Sequence, residues 1–275
     1  MIKNIAWNTF KKTGNIDTLM ELMQVENIEK NMKVGIDEYN QNKGYNNSRK
    51  QLKWLWQDAH NFNATGFGKI SCLAKGARRT KSLLLAGTQF LCFGEYILYK
   101  GGEVYRMNSC ETIELFYNLR TDFNKLKYAA LITKIINDVT TENQNTYKIL
   151  RLFLNTLYTI SEKEKNLDLV LGIFELRLVS MLGFKPIIDE CVSCKTKENL
   201  NYFSISENGF KCDACSKQDT SSVKMLDTTN DAIKYSILAP QEKLFSFNIP
   251  EEAIRELGII AKLYTNQKLE KEYKL

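Results

Sequence analysis

Cys191, Cys194, Cys212 and Cys215 stand as two pairs with the spacing C-x2-C-x17-C-x2-C. Zinc accepts four soft thiolates in a tetrahedron. A C-x-x-C turn brings two sulfurs within reach of one ion, so two such turns complete the shell. With every position filled by protein, no place remains for water or substrate, and the spacing predicts a structural Zn2+ that performs no chemistry. Two pairs of free thiols are the plainer alternative. A redox pair would sit in a thioredoxin-like strand and helix, which neither pair has. A zinc enzyme using Asp189 or Asp213 beside the cysteines would need a ligand position that four thiolates do not leave open.

A second group of residues carries charge. Between Phe67 and Cys110 stand Lys69, Lys75, Arg78, Arg79, Lys81, Lys100 and Arg106, opposed only by Glu95 and Glu103. That stretch holds a net +5 of the whole chain's +6. Charge focused in this way fits a polyanion partner, against the plainer reading of a solvated basic surface. Lys75, Arg78, Arg79 and Lys81 fall in the segment AKGARRTKSLLLAG, which reads as a loop and would project them together. Lys69, Lys100 and Arg106 are weaker candidates because strand positions point to either face. Phe67, Phe90, Phe93, Tyr96, Tyr99 and Tyr105 could stack on bases, although strand alternation sends half of them to the interior. His60 is the only histidine, which leaves no Ser–His or Cys–His arrangement for nucleophilic catalysis. No phosphate-cradling glycine loop and no paired-carboxylate constellation is present.

The elements that position these groups follow from periodicity. With 275 residues, 44% of them hydrophobic, the chain can bury a substantial core in two or three domains. No run of 18 apolar residues exists, so no membrane span is expected. The first residues, MIKNIAWNTFKK, lack an export signal. Together with seven cysteines, an odd number, they point to a reducing cytoplasm. Cys72, Cys92 and Cys110 read as packing residues. GKISCLAKGA, QFLCFGEYILYKGG and EVYRMNSCETIELF read as strands, the last two joined by a turn at Gly101-Gly102. Short antiparallel strands with basic loops suggest a small barrel of the OB type. From Thr121 the period turns helical: one helix to about Thr140, a second over about 146–161, and a third after Asn166 that Gly183 and Pro186 end. The zinc module occupies 187–220, and two further helices cover about 228–239 and 250–268. The fold class expected is α+β.

The strings GKISCLAKGARRTKS, GEYILYKGG, ETIELFYNLRTDFNKLKYAALI, FELRLVSMLGFKPIIDECVSC and GFKCDAC, in this order, resemble the RecO family of recombination-repair proteins, from about Phe67 to the C-terminus. The resemblance implies an N-terminal OB barrel over 67–118, a helical domain over 119–275 with the zinc insertion, and no catalytic turnover. It implies binding to single- and double-stranded DNA, annealing of complementary strands, and action with RecR to load RecA onto DNA coated with single-strand-binding protein. A cytoplasmic, nucleoid-associated location would follow. The rival reading is a zinc-ribbon RNA- or transcription-associated binding protein. Preference for single-stranded DNA and stimulation of annealing would separate the two.

The front of the chain departs from that pattern. Residues 1–31, through WNTFKKTGNIDTLMEL, resemble the short YqzL-like peptides and read as an appended helical element with a helix over about 18–30. Residues 32–66 are atypical. Seven asparagines lie between Asn31 and Asn63, and only MKVGIDEY and QLKWLWQ suggest strands. This segment reads as out-of-frame sequence joining the two parts, so the barrel is expected to lack proper first and second strands and to expose a sheet edge.

Overall fold

The computed structural model describes residues 7–10, 49–58, 61–64, 68–101, 104–142 and 146–275. The chain divides into two units, 1–117 with 140–151 and 118–139 with 152–275. The expected helix at 18–30 and the strand at MKVGIDEY lie outside the described residues.

In the first unit five strands form one ladder: β1 (Arg49–Asp58), β2 (Asn61–Ala64), β3 (Gly68–Leu73), β4 (Phe93–Gly101) and β5 (Val104–Glu114). The pairing runs β1-β2-β3-β5-β4 and returns from β4 to β1, so no edge is left open. All pairs are antiparallel except β3 with β5. This corrects the expectation of a barrel without its first two strands, since residues 49–58 and 61–64 supply both. The reason is that a ladder is closed by backbone N–H and C=O groups. Those groups are present in any non-proline sequence, whatever its side-chain pattern. Irregularities at Lys53/Leu55, Phe93/Gly94 and Ile97/Leu98 are of the kind that bend a ladder toward closure.

Ile70, Tyr96, Leu98 and Met107 form a buried cluster against which Cys72, Ala74, Leu84, Tyr105 and Cys110 pack. A helical turn at 7–10 joins this unit. Trp7 and Phe10 are buried, the Trp7 ring lies 5.9 Å from Phe93 and 6.0 Å from Phe116, and its Nε1 donates to Glu114 Oε2 at 2.6 Å. An indole that is buried and also finds an acceptor is firmly held.

The second unit contains α1 (Tyr117–Thr121) in its larger part, α2 (Phe123–Val139), α3 (Tyr147–Glu162) from Leu152 onward, α4 (Leu167–Met181), α5 (Asp213–Ser216), α6 (Asp227–Leu238) and α7 (Glu251–Lys268). The longer helices fall where the apolar period places them. Asn166 caps α4, its side chain accepting from the backbone N–H groups of Asp168 and Leu169, which satisfies two otherwise orphaned donors. At its other end Gly183 takes φ +100°. Its N–H reaches Ser180 O, and that of Phe184 reaches Val179 O at 2.9 Å. This is the Schellman closure that glycine permits without steric cost. Helix α4 is buried on nearly all sides and packs against α6 and α7, as expected of a helix that is apolar all round. Its one internal carboxylate, Glu175, is buried beside a cavity of about 340 Å3 lined by Leu131, Leu171, Ile254, Gly258 and Lys262. No helix among the described residues is long and apolar enough to cross a membrane.

Between α4 and α6 lies a small sheet of β6 (Tyr202–Ser204), β7 (Gly209–Lys211) and β8 (Ser222–Lys224), ordered β7-β6-β8. Phe203, buried at its centre, meets Phe210 and Tyr264 edge-on at 6.0 and 5.3 Å.

Candidate functional site

The four cysteines converge. Two short hooks deliver them. In the first, the Cys191 N–H donates to Thr196 O at 2.7 Å, the Lys195 N–H returns to Cys191 O at 3.0 Å, and Lys195 takes φ +64°. In the second, Cys212 sits before the single turn α5, and the Ser216 N–H donates to Cys212 O. Strand β7 ties the hooks together, because Val192 N–H donates to Phe210 O and Phe210 N–H to Ile187 O. Only glycine fits at 209, where a Cβ would stand 2.3 Å from Ile187 O.

The result places all four Sγ atoms within 4.8 Å of one another, with Cys194 and Cys212 at 3.6 Å. A tetrahedron with Zn–S bonds of roughly 2.3 Å has edges of about 3.8 Å, so the donor set fits a tetrahedral thiophilic cation. Burial raises the Cys191 thiol. The backbone N–H groups of Cys194, Cys212 and Ser193 outweigh that and bring it to about 6. Cys215 moves the other way, pushed up to about 12 by its neighbours' sulfurs. Four crowded thiols cannot all ionise without a cation among them.

The sheet beside the cysteines holds a polar network that the sequence did not announce. Asp219 accepts from the hydroxyls of Ser204, Ser221 and Ser222, from the Ser221 N–H at 2.9 Å and from Lys211 Nζ at 3.0 Å. Lys211 is buried and also pairs with Glu207. Burial by itself would raise the Asp219 carboxyl. The donors prevail and hold it far below the ordinary carboxylate range. Two serines, a threonine and an aspartate within 217–222, KQDTSS, carry the signal of a turn whose side chains bond their own backbone. The long-range bonds to Ser204 and Lys211 have no local signature.

The basic residues part company. Lys75, Arg78, Arg79 and Lys81 are all exposed in the chain between β3 and β4, and among the described residues none of the four side chains has a hydrogen-bonding or ionic partner. The segment is a succession of tight turns. Bonds run from Ala77 N to Ala74 O, Arg79 to Gly76, Ser82 to Arg79, Leu85 to Ser82 and Cys92 to Gln89. Arg106, exposed on β5, is in register with Leu73, the last residue before that loop, so it joins the loop cations at their root. Lys69 lies at the far end of β3, half-buried, and is not brought to them. Lys100 is near the end of β4, where its backbone pairs with Tyr105. Of the aromatic candidates, Phe93 and Tyr96 are buried in the core and Tyr105 packs against it. Phe90 and Tyr99 keep partial exposure, and Phe67 lies outside the described residues.

A closed strand ladder bearing an unpaired basic loop, with a helical unit that carries a four-thiol hook, defines a two-part protein with one candidate metal centre and one candidate polyanion surface. Its sequence matches the family models for the recombination protein O N terminal over residues 64–116 and C terminal over residues 120–275. The chain belongs to the RecO family. It is 42% identical to DNA repair protein RecO of Acetivibrio thermocellus over 207 residues, covering 75% of this chain and 82% of that protein. It is 36% identical over 198 residues to the protein of the same name from Alkaliphilus metalliredigens, covering 72% and 80%. Against that of Thermoanaerobacter sp. it is 30% identical over 208 residues, covering 76% and 84%.

Proposed function

We propose that this protein is a DNA-binding recombination mediator in DNA repair that turns over no substrate. The carrying observation is the set of four exposed, unpartnered cations on one turn-built loop, in a chain whose relatives are named DNA repair proteins. Cations with no protein partner stay free for phosphates. Each phosphate neutralised releases counterions, which makes binding strong at low salt and steeply salt-dependent. Lys75, Arg78, Arg79 and Lys81 are the first contacts, Arg106 extends them at the root of the loop, and Lys69 and Lys100 lie further along the strands.

The five-strand ladder is read as an OB-type barrel, supported by its strand order and its single parallel pair. Barrels of that type bind single strands in a groove. The domain division follows: a barrel whose strands run from β1 at 49–58 to β5 at 104–114, and a helical domain over 119–275 with the metal module at 187–220. Cys191, Cys194, Cys212 and Cys215 would hold Zn2+, whose chemistry there is to cross-link two hooks of chain. With all four donors supplied by the protein, the ion supports the fold and no step passes through it. Partners in this reading are single- and double-stranded DNA, RecR, single-strand-binding protein and, through them, RecA. The cytoplasm is the compartment where such thiols and such DNA meet.

The test is a strand-annealing assay with complementary oligonucleotides at two salt concentrations, with and without a chelator, beside a direct titration with single-stranded DNA and with RNA of the same sequence. The expected result is faster annealing at low salt, with stronger binding to DNA. A chain that ignores oligonucleotides at the lowest salt, or that prefers RNA and does not anneal, overturns the reading.

A further inference from the structure

Leu83 is 93% exposed, more than any other large apolar side chain among the described residues. Single surface leucines are ordinary, but this one is fixed in place. Its own carbonyl accepts from Cys110 Sγ at 3.7 Å. The next residue, Leu84, packs against the barrel cluster, and its N–H donates to Ser82 Oγ at 3.2 Å. Further on, Thr88 N–H and its hydroxyl both return to Leu84 O, and Tyr96 OH donates to Gly87 O at 2.8 Å. The backbone is therefore tied on both sides of Leu83, and the side chain cannot turn inward without breaking these bonds. Lys81 stands two residues before it, and Lys75, Arg78 and Arg79 lie in the same run of turns.

We infer that Leu83 is a wedge that enters between neighbouring bases of a strand whose phosphates the loop cations hold. The inference rests on the nucleic-acid reading above. A nucleic acid offers an anionic backbone next to apolar base faces, and a rigid apolar side chain framed by cations presents the complementary pair. Leucine is among the side chains that part a base step in this way. Parting the step unstacks the bases, and a strand with unstacked bases is ready to pair with its complement.

The experiment uses the full chain with Leu83→Ala and Leu83→Phe, a fluorescently labelled single-stranded oligonucleotide, and a second oligonucleotide containing 2-aminopurine, whose emission rises on unstacking. The wild-type chain raises that emission. Leu83→Ala binds about tenfold more weakly, keeps the same slope of affinity against salt, and loses the rise. Leu83→Phe restores both affinity and emission. Thermal unfolding is unchanged in either variant, because the side chain lies in water. Unchanged affinity and emission in Leu83→Ala overturn the wedge and leave the basic loop standing, as does a loss confined to binding of anionic phospholipid vesicles. Absence of oligonucleotide binding by the wild-type chain at the lowest salt overturns the reading beneath it.

Discussion

The loop over 74–92 and the cysteine module over 187–224 are built alike and spend their polar groups in opposite ways. Both depend on tight turns, the loop between β3 and β4 and the module around three short strands and one helical turn, and both are rich in charge. At the module's centre the polar groups face inward and bond one another: Asp219 collects three hydroxyls, an N–H and an ammonium, and four sulfurs share one small volume. In the loop the four cations face water with no partner among the described residues. A polar group satisfied within the protein contributes to folding, whereas one left exposed and unpaired is available to a ligand. Changes in the module should therefore move stability, and changes in the loop should move binding.

The sharpest way to break this contrast is to remove the sulfurs. Cys191→Ala or Cys212→Ala is expected to abolish metal retention, and metal-linked folding energy in such sites is on the order of 10 kcal/mol. Metal content by elemental analysis should fall from one ion per chain to none. Hydrogen exchange should become fast over 187–224 and stay slow in β3 to β5. Unchanged protection of the module in the metal-free variant would show that the hooks hold without a cation and would remove the metal from the structural role.

Asp219→Asn comes next. It leaves the buried Lys211 with Glu207 as its remaining acidic partner, and breaking one side of a buried pair costs about 3 kcal/mol or more. Because the folded carboxyl lies below its unfolded value, its contribution is present above the ordinary carboxylate range and is lost as pH falls toward the folded value. The module should loosen in acid, and the loss should vanish in Asp219→Asn. Unfolding followed by Phe203 and Tyr264 reporters between neutral pH and pH 3 would measure it.

Glu175 supplies the opposite case in the same unit. It is as buried as the module's charges, but among the described residues its carboxylate accepts no hydrogen bond. Burial pushes it up to about 8, with the Lys262 charge opposing. Donor count, and not depth, thus decides the direction in which a buried acid shifts. A raised carboxyl contributes stability that is fully present below its unfolded value of 4.5 and lost as pH rises through about 8. Glu175→Gln should therefore flatten the fall in stability across that window and stabilise the protein at alkaline pH by roughly 3 kcal/mol. A denaturation series from pH 5 to pH 9 reads this, and parallel curves for the two proteins would place the carboxylate in contact with water.

How far the sequence foretold this arrangement depends on the range of the interactions. The cysteine pairs, the cation cluster and the helix ends at Asn166 and Gly183 are local patterns, and each appears where its spacing placed it. Strand β1 falls where QLKWLWQ suggests one, but β2 and the place of both strands in the ladder were missed, because 49–64 carries asparagine and glutamine where a family-like strand pair would alternate, while the ladder asks only for backbone groups. The module's strands are three residues each, too short for any period to register. Asp219 was invisible because Ser204 and Lys211 reach it from other strands. Phe93 and Tyr96 looked like stacking candidates until the closed ladder turned them inward.

The smallest change in stability and the clearest in binding should come from Arg78→Ala with Arg79→Ala. Both side chains are exposed and neither holds a partner among the described residues, so thermal unfolding should stay within about 0.5 kcal/mol of the original. Affinity for a single-stranded oligonucleotide should fall alike for every sequence tested, because phosphate contacts carry no base information. The slope of log affinity against log salt should flatten by roughly 1.4, two phosphates' worth for a single strand. If the slope is unchanged while affinity falls, the arginines act through something other than counterion release. If stability falls and the slope does not, the loop belongs with the module as structure, and the contrast between inward and outward charge fails at its outward end.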